Sequence, residues 1–341
     1  MKKNILLSVM LMLSAVTFAQ QQLATLNHNN DITVYYGADA LVSAHNAAET
    51  GDIITLSSGV FNATNITKAV TIRGAGAWAD ASGGNTVIRN GFNISAGGDD
   101  VHHLTLEGVY FLGGITVYNT NNPQFIKCYI HSMGMAYGNN YYHTGQLLNN
   151  ASFINCIIAS WCNDNTDSYA NGTQFINSVV IESDCYGYSS DTYINCVLKK
   201  SPHNISSHLL QNCVLYCDYA DSVAPANNST TSFNCLYVQM NASDSSADDL
   251  FSPIVGHTLW TVRGMSNVFQ SFNGSTEGED FRLLDNIANT YLGTDGTQIG
   301  IYGGTMPFDP HVTSPLIRRI TVAPRSNANG QLPVDIEVTN E

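Results

Sequence analysis

The chain is short of charge, and what charge it has is lopsided: only 12% of its 341 residues are Asp, Glu, Lys or Arg, with 13 basic side chains against 27 acidic ones and a formal net charge of −14. So few cations exclude nucleic acid as a partner, because phosphate backbones are held by Lys and Arg. They also disfavour a direct grip on strongly anionic polysaccharides unless Ca²⁺ intervenes. The acidity serves solubility. Also missing are the G-x-S-x-G, H-E-x-x-H and CxxC motifs of common hydrolytic, metalloenzyme and redox sites, and the D-x-[DN]-x-[DN]-G calcium loop. The one long apolar run, residues 5–18, is shorter than the ~20 residues of a spanning helix. Behind Met1-Lys2-Lys3, and with Thr17 and Ala19 flanking Phe18, it reads as a signal peptide cut after Ala19, so a secreted, periplasmic, outer-surface or extracellular protein without a retained membrane span is expected.

What is present is apolar and repetitive. Hydrophobic residues make up 44%, enough for a large core and too many for disorder, and 17 Tyr with 28 Gly suit strands joined by tight turns. Residues 124–131 (QFIKCYIH) return as 152–159 (SFINCIIA), 174–181 (QFINSVVI), 192–199 (TYINCVLK), 209–216 (LLQNCVLY) and, one residue shorter, 232–237 (SFNCLY). Marked by Cys128, Cys156, Ser178, Cys196, Cys213 and Cys235, the steps run from 17 to 28 residues, which predicts a solenoid of stacked repeats.

Each copy places an apolar residue two before an Asn (Phe153, Phe175, Tyr193, Leu210), Cys or Ser one after it, and an aliphatic residue three after it (Ile158, Val180, Leu198, Leu215). That pattern predicts two short strands joined at a one-residue corner, where Asn tolerates the left-handed conformation. Asn155, Asn177, Asn195, Asn212 and Asn234 are expected to stack as a ladder, each amide bonding to the next; Lys127 breaks the pattern, so the ladder is expected to start at the second copy.

The repeat resembles the right-handed parallel β-helix of the pectate-lyase-like superfamily. Residues 40–49 followed by Gly51-Asp52-Ile53-Ile54-Thr55-Leu56-Ser57-Ser58-Gly59-Val60-Phe61 are similar to that family's capping helix and first coil, and the chain beyond its leader resembles secreted β-helix proteins of Bacteroidetes-type bacteria. The resemblance implies a single all-β solenoid over residues 38–304, with a leader and covering strand at 20–37 (20–30 loose, 32–36 the strand) and a Pro-containing link and strand pair at 305–341. It also implies a closing "IG-YGG" strand within residues 293–304. The capping helix would bury Leu41, Ala44, Ala47 and Ala48 behind an Asp39 N-cap.

The recurrent Cys128, Cys156, Cys196, Cys213 and Cys235 point inward and are expected to be buried thiols, with Ser178 substituting once; parallel Cβ vectors suit a disulfide poorly. A bridge between Cys162 and Cys185 is left open. Residues 73–79 (RGAGAWA) outline a G-x-G-x-x-A turn, but no helix follows it, so a tight turn laying Trp78 on the coil is expected.

For function, the long loop 132–150 and its neighbours carry Tyr137, Tyr141, Tyr142, His143, Trp161, Tyr186 and Tyr188, which could stack on and bond to sugars. Asp164, Asp167, Asp184 and Asp191, with Asp218 and Asp221, recur after strands as candidate Ca²⁺ ligands or simply as turn caps. In lyases of the resembled family a Lys or Arg base works beside cation-neutralised uronates; the one Lys pair beyond the leader is Lys199-Lys200. Paired acids such as Asp164 and Asp184 would be needed for glycoside hydrolysis. His102 and His103 could act as bases or as ordinary polar contacts. The leading expectation is non-catalytic binding of a polysaccharide or cell-surface glycan; a polysaccharide lyase or hydrolase and a structural or adhesive repeat protein are the alternatives. Finally, Ile126, Ile154, Ile176 and Ile194, with Tyr129, Ile157, Val179, Val197 and Val214, form an outer apolar stripe, expected to be covered by residues 242–278, by the C-terminal tail or by a second subunit through self-association.

Overall fold

Each copy of the repeat becomes one coil of a parallel β-helix. The structure is a computed structural model and describes residues 22–78, 84–95, 103–118, 120–135, 145–162, 168–182, 191–199, 209–216, 231–239, 259–271, 280–311, 316–322 and 334–339. Three parallel sheets run along the stack. The first holds eleven strands: two antiparallel ones at the N-terminal end, Asp31–Tyr36 and Leu23–His28, then nine parallel ones from Ile53–Leu56 through Gln124–Ile126, Ser152–Ile154, Gln174–Ile176, Thr192–Ile194 and Leu209–Gln211 to Thr231–Phe233. The second holds the other half of each repeat, such as Ile157–Cys162, Val179–Glu182, Val197–Lys199 and Val214–Tyr216, and branches into a further run of strands. The third joins Thr120–Asn121, Gly145–Asn149 and Ser168–Asn171.

In-register pairing puts like residues on like. Phe125 aligns with Phe153, Phe153 with Phe175, and Phe175 with Tyr193. Their rings stack at 4.5, 4.9 and 4.7 Å, at interplanar angles of 6°, 12° and 6°. The five inward cysteines are fully buried and unbridged. Each points its Sγ at the carbonyl two residues back, as Cys128 does to Ile126 at 3.3 Å and Cys196 to Ile194 at 3.2 Å. Ser178 makes the same bond to Ile176 at 2.9 Å, which is why it can stand in for a thiol. Burial among apolar neighbours pushes the thiols of Cys156, Cys196 and Cys235 well up. Cys185 and the Cys162 side chain lie outside the described residues.

Corner geometry follows the sequence reading, but it starts earlier. Asn155, Asn177, Asn195, Asn212 and Asn234 all adopt positive φ, between 46° and 56°, and so does Lys127 at 51°. Lys127 is therefore the first side chain of the corner column rather than its interruption.

At the N-terminal end the expected loose leader is instead a strand. β1 (Leu23–His28) turns through Asn29 and Asn30, both at positive φ, into β2 (Asp31–Tyr36). It is β1 that pairs antiparallel with β3 (Ile53–Leu56) of the first coil, and β2 lies outside it. Helix α1 (Ala40–Ala47) plugs the core with Ala40, Leu41, Ala44 and His45, and Ala48 follows; Ala47 faces solvent. The buried set is the i, i+3, i+4, i+7 face of a helix, to which residue 45 belongs and residue 47 does not. Asp39 makes no side-chain cap bond; its carboxylate accepts from Asn62 Nδ2 at 2.6 Å. Lys68 closes the other end of α1, its ammonium donating to the carbonyls of His45, Asn46 and Ala48. At the C-terminal end of the chain, Leu316–Val322 and Val334–Thr339 pair antiparallel as a two-stranded sheet.

Candidate functional site

Across the second sheet, the outer stripe of Tyr129, Ile157, Val179, Val197, Val214 and Leu236 is buried. What covers it is the chain itself. Val268 and Phe269, then Phe281, Leu283 and Ile287 from the region of helix α2 (Asp285–Thr290), and finally Ile299 and Ile301 pack against it as a second apolar core. This half of the expected stripe is thus closed within one chain, whereas Ile126, Ile154, Ile176 and Ile194 on the first sheet are only half-buried.

The final part of this cover runs along the corner column, perpendicular to the strands. Asn234 Nδ2 donates to Leu292 O at 2.9 Å, Gln211 Nε2 to Thr294 Oγ1 at 2.8 Å, and Asn212 Oδ1 accepts from Thr294 N–H at 2.8 Å. Further down, Asn177 Nδ2 donates to both Ile301 O at 2.8 Å and Gly303 O at 2.7 Å. At the end Lys127 Nζ donates to Asp309 Oδ2 at 2.9 Å and to His311 O. The corner amides of Asn177, Asn212 and Asn234 thus bond to this strap instead of to one another. Coil-to-coil amide bonds do form elsewhere, Asn93 to Asn65 and Asn149 to Asn121.

Nor are residues 293–304 a closing strand. Gly296, Gly300 and Gly304 sit at φ near 78°, a left-handed geometry that recurs every four residues and cannot continue an extended chain. At Gly304 an added Cβ would collide with the Asn195 amide, so close approach to the corner dictates glycine there.

Where the strap ends, an aromatic cluster comes to the surface. Trp78, delivered by the tight turn after Thr71–Arg73, stands edge-on to Phe308 at 5.8 Å and to Tyr129 at 6.2 Å. Tyr110 packs on Tyr129 at 4.7 Å, and Tyr302 lies edge-on to Phe308 at 6.1 Å with the Arg282 guanidinium 5.1 Å from its ring centre. Tyr129 is buried, whereas Trp78, Tyr110, Tyr302 and Phe308 are each half-buried. Polar groups border them: Asp309 lies 2.9 Å from His311 Nδ1, and both side chains are at least half exposed. Burial by itself would raise the Asp309 carboxyl, but bonds from Lys127 and from His311 outweigh it and hold the group below the usual range.

The residues singled out in the sequence distribute differently. Trp161, expected near a loop, is only 1% exposed; its ring is wedged at 83° and 89° against Phe153 and Phe175 inside the coil, so it cannot meet a ligand. Asp191 is also buried, with the Tyr193 hydroxyl 3.4 Å from its carboxylate, a strand-start position closed to solvent cations. Tyr137, Tyr141, Tyr142, His143, Tyr186, Tyr188, Asp164, Asp167, Asp184, Asp218 and Asp221 lie outside the described residues. Among the described residues no three His, Cys, Asp or Glu side chains come together as a metal site, and no helix is long and apolar enough to cross a membrane. Of the described cations, Lys68 and Lys127 are engaged as above, Arg73 pairs with Glu107 at 3.2 Å, and Arg89 bonds Asn62 at 3.1 Å.

Sequence reading passed over Tyr110, Tyr302, Phe308, Asp309 and His311. One signal was available: the copy with Lys at its corner also carries Tyr129 where the later copies have Ile157, Val179, Val197 and Val214. An aromatic and a cation replace an aliphatic and an amide at the coil where the strap terminates.

No family model and no curated protein matches the chain. Among solved structures, that of full-length QnrB1, described as a plasmid-mediated fluoroquinolone resistance protein, aligns over 62% of this chain and 94% of its own at 9% identity, with a TM-score of 0.29. A likeness that slight carries no argument about activity.

Proposed function

We propose that this chain is an exported β-helix protein that binds a glycan without cleaving it, at the surface formed by Trp78, Tyr110, Tyr302 and Phe308. One observation carries the reading: four half-buried aromatic side chains lie together beside an exposed carboxylate and imidazole, on a rigid stack. Aromatic rings pack on the apolar faces of sugars while neighbouring polar groups meet the hydroxyls. The Lys127 ammonium is already spent on Asp309, and Arg282 on Asp280 at 3.2 Å, so a neutral glycan fits this surface better than a uronate polymer. The tyrosines of loop 132–150 extend the same proposal to a second region, and the Met1–Ala19 leader carries its export component. The pectate-lyase-like resemblance is the source of the competing lyase reading.

Isothermal titration of a panel of neutral and uronate-containing polysaccharides, with and without Ca²⁺, tests it, with unsaturated product followed in parallel. Trp78→Ala and Phe308→Ala should each weaken binding of a neutral glycan at least tenfold while a Tyr141→Ala/Tyr142→Ala variant reports on the other loop. Release of unsaturated uronate, or binding indifferent to both aromatic substitutions, would overturn the proposal.

A further inference from the structure

With the outer stripe of the second sheet covered, the most exposed apolar side chains are elsewhere. β2 is the terminal strand of the eleven-stranded sheet, paired to β1 along one edge. The register sets Thr33 and Tyr35 on the side of Leu26 and Ala24, both buried. Ile32, Val34 and Tyr36 therefore share the opposite face, and they are 68%, 40% and 61% exposed. Natural sheets blunt such an edge with Lys, Pro or a bulge. β2, reading Asp-Ile-Thr-Val-Tyr-Tyr and paired to β1 without a register shift, has none of these.

We infer that β2 is a dimerisation strand, which pairs antiparallel with β2 of a second copy of this chain. The strand is self-complementary. A two-fold axis at Val34 sets Val34 against itself and Ile32 against Tyr36, the aromatic with β-branched kind of cross-strand pair that stabilises sheets. The strand's one acid, Asp31, then falls opposite Gly37, so two chains of net charge −14 meet along an edge where no carboxylate faces another. Pairing joins two eleven-stranded sheets into one continuous sheet and satisfies the backbone groups of both edges. A single strand pair with its flanking side chains falls at the small end of protein interfaces, below ~1,200 Å², which makes the dimer concentration-dependent.

Sedimentation equilibrium of the full chain at increasing concentration is the test. A monomer–dimer equilibrium is expected, and Val34→Lys should shift it at least tenfold toward monomer with an unchanged circular dichroism spectrum. Val34→Cys should link covalently to itself under mild oxidation, since residue 34 meets its own copy, whereas Thr33→Cys, on the other face of the strand, should not exceed the background of the unsubstituted chain. A chain that stays monomeric throughout, a dimer that Val34→Lys leaves intact, or equal cross-linking at 33 and 34 would overturn the inference. Should Val34→Lys fail to fold, the cysteine pair decides.

Discussion

Asn177 holds the strap at its middle, and removing its amide is the sharpest perturbation the structure offers. In Asn177→Ala two hydrogen bonds to the carbonyls of Ile301 and Gly303 are lost, each contributing about 0.5–1.5 kcal/mol net. The carbonyls they leave behind cost about 1–3 kcal/mol more, because the Asn177 site is 1% exposed and water does not replace the amide there. Ala must also adopt φ near 46°, a left-handed conformation that costs roughly 1 kcal/mol. Together these predict a destabilisation of about 3–7 kcal/mol. Asn177→Gly loses the same bonds without the backbone strain, so it should be roughly 1 kcal/mol milder. Asn155 shares the corner conformation without that pair of bonds, so Asn155→Gly provides the control. For a chain of this size about 4–10 °C of Tm is at stake. Because stacked coils can open in parts, the informative assay is hydrogen exchange at residues 299–304 alongside the thermal scan. If Asn177→Gly matched the unsubstituted protein in Tm and in strap protection, the bonding between corner and strap would contribute nothing and the reasoning would fail.

Two further outcomes depend on pH. The Asp309 carboxyl titrates below its usual value when folded, so the Lys127 anchor contributes at every pH above about 4 and is lost as pH falls through the depressed pKa; proteolysis at residues 305–311 should rise in acid, and Lys127→Met should make that end sensitive already at pH 7. His45, on the buried face of helix α1 and accepting from Thr67 N–H at 3.3 Å, is lowered to about 4, first by burial and then by Lys68. The unfolded chain takes up that proton near pH 6.5 and the folded one only near 4, so stability should decline between those values and level off below; His45→Gln should flatten this part of the profile, and an unchanged Tm against pH would refute it.

The repeat itself was legible because a parallel β-helix is a local structure repeated. The inward Phe, Tyr, Cys and aliphatic positions alternate with the pleat, and a left-handed corner selects Asn, so a few residues of any one copy already specify strand, corner and strand. By the same logic Ser178 could be read as a thiol substitute before its hydrogen bond to Ile176 was seen. Readings failed where a position's partner came from far along the chain. Trp161 was read as surface because its neighbours are loop-like, and only the stacked rings of Phe153 and Phe175 reveal the slot it fills. The Gly-rich run at 293–304 was read as a strand by resemblance, yet its glycines answer to corner amides as much as 126 residues earlier.

What the amino-acid order determined, then, was the architecture of the coil, since inward and outward positions are decided by neighbours a few residues apart. What the tertiary structure alone decided was the covering of the stripe, the destination of the corner amides and the gathering of Trp78, Tyr129, Tyr302 and Phe308. Those contacts join residues separated by tens to hundreds of positions, and hydrophobic periodicity carries no information about which distant segment will close an exposed face.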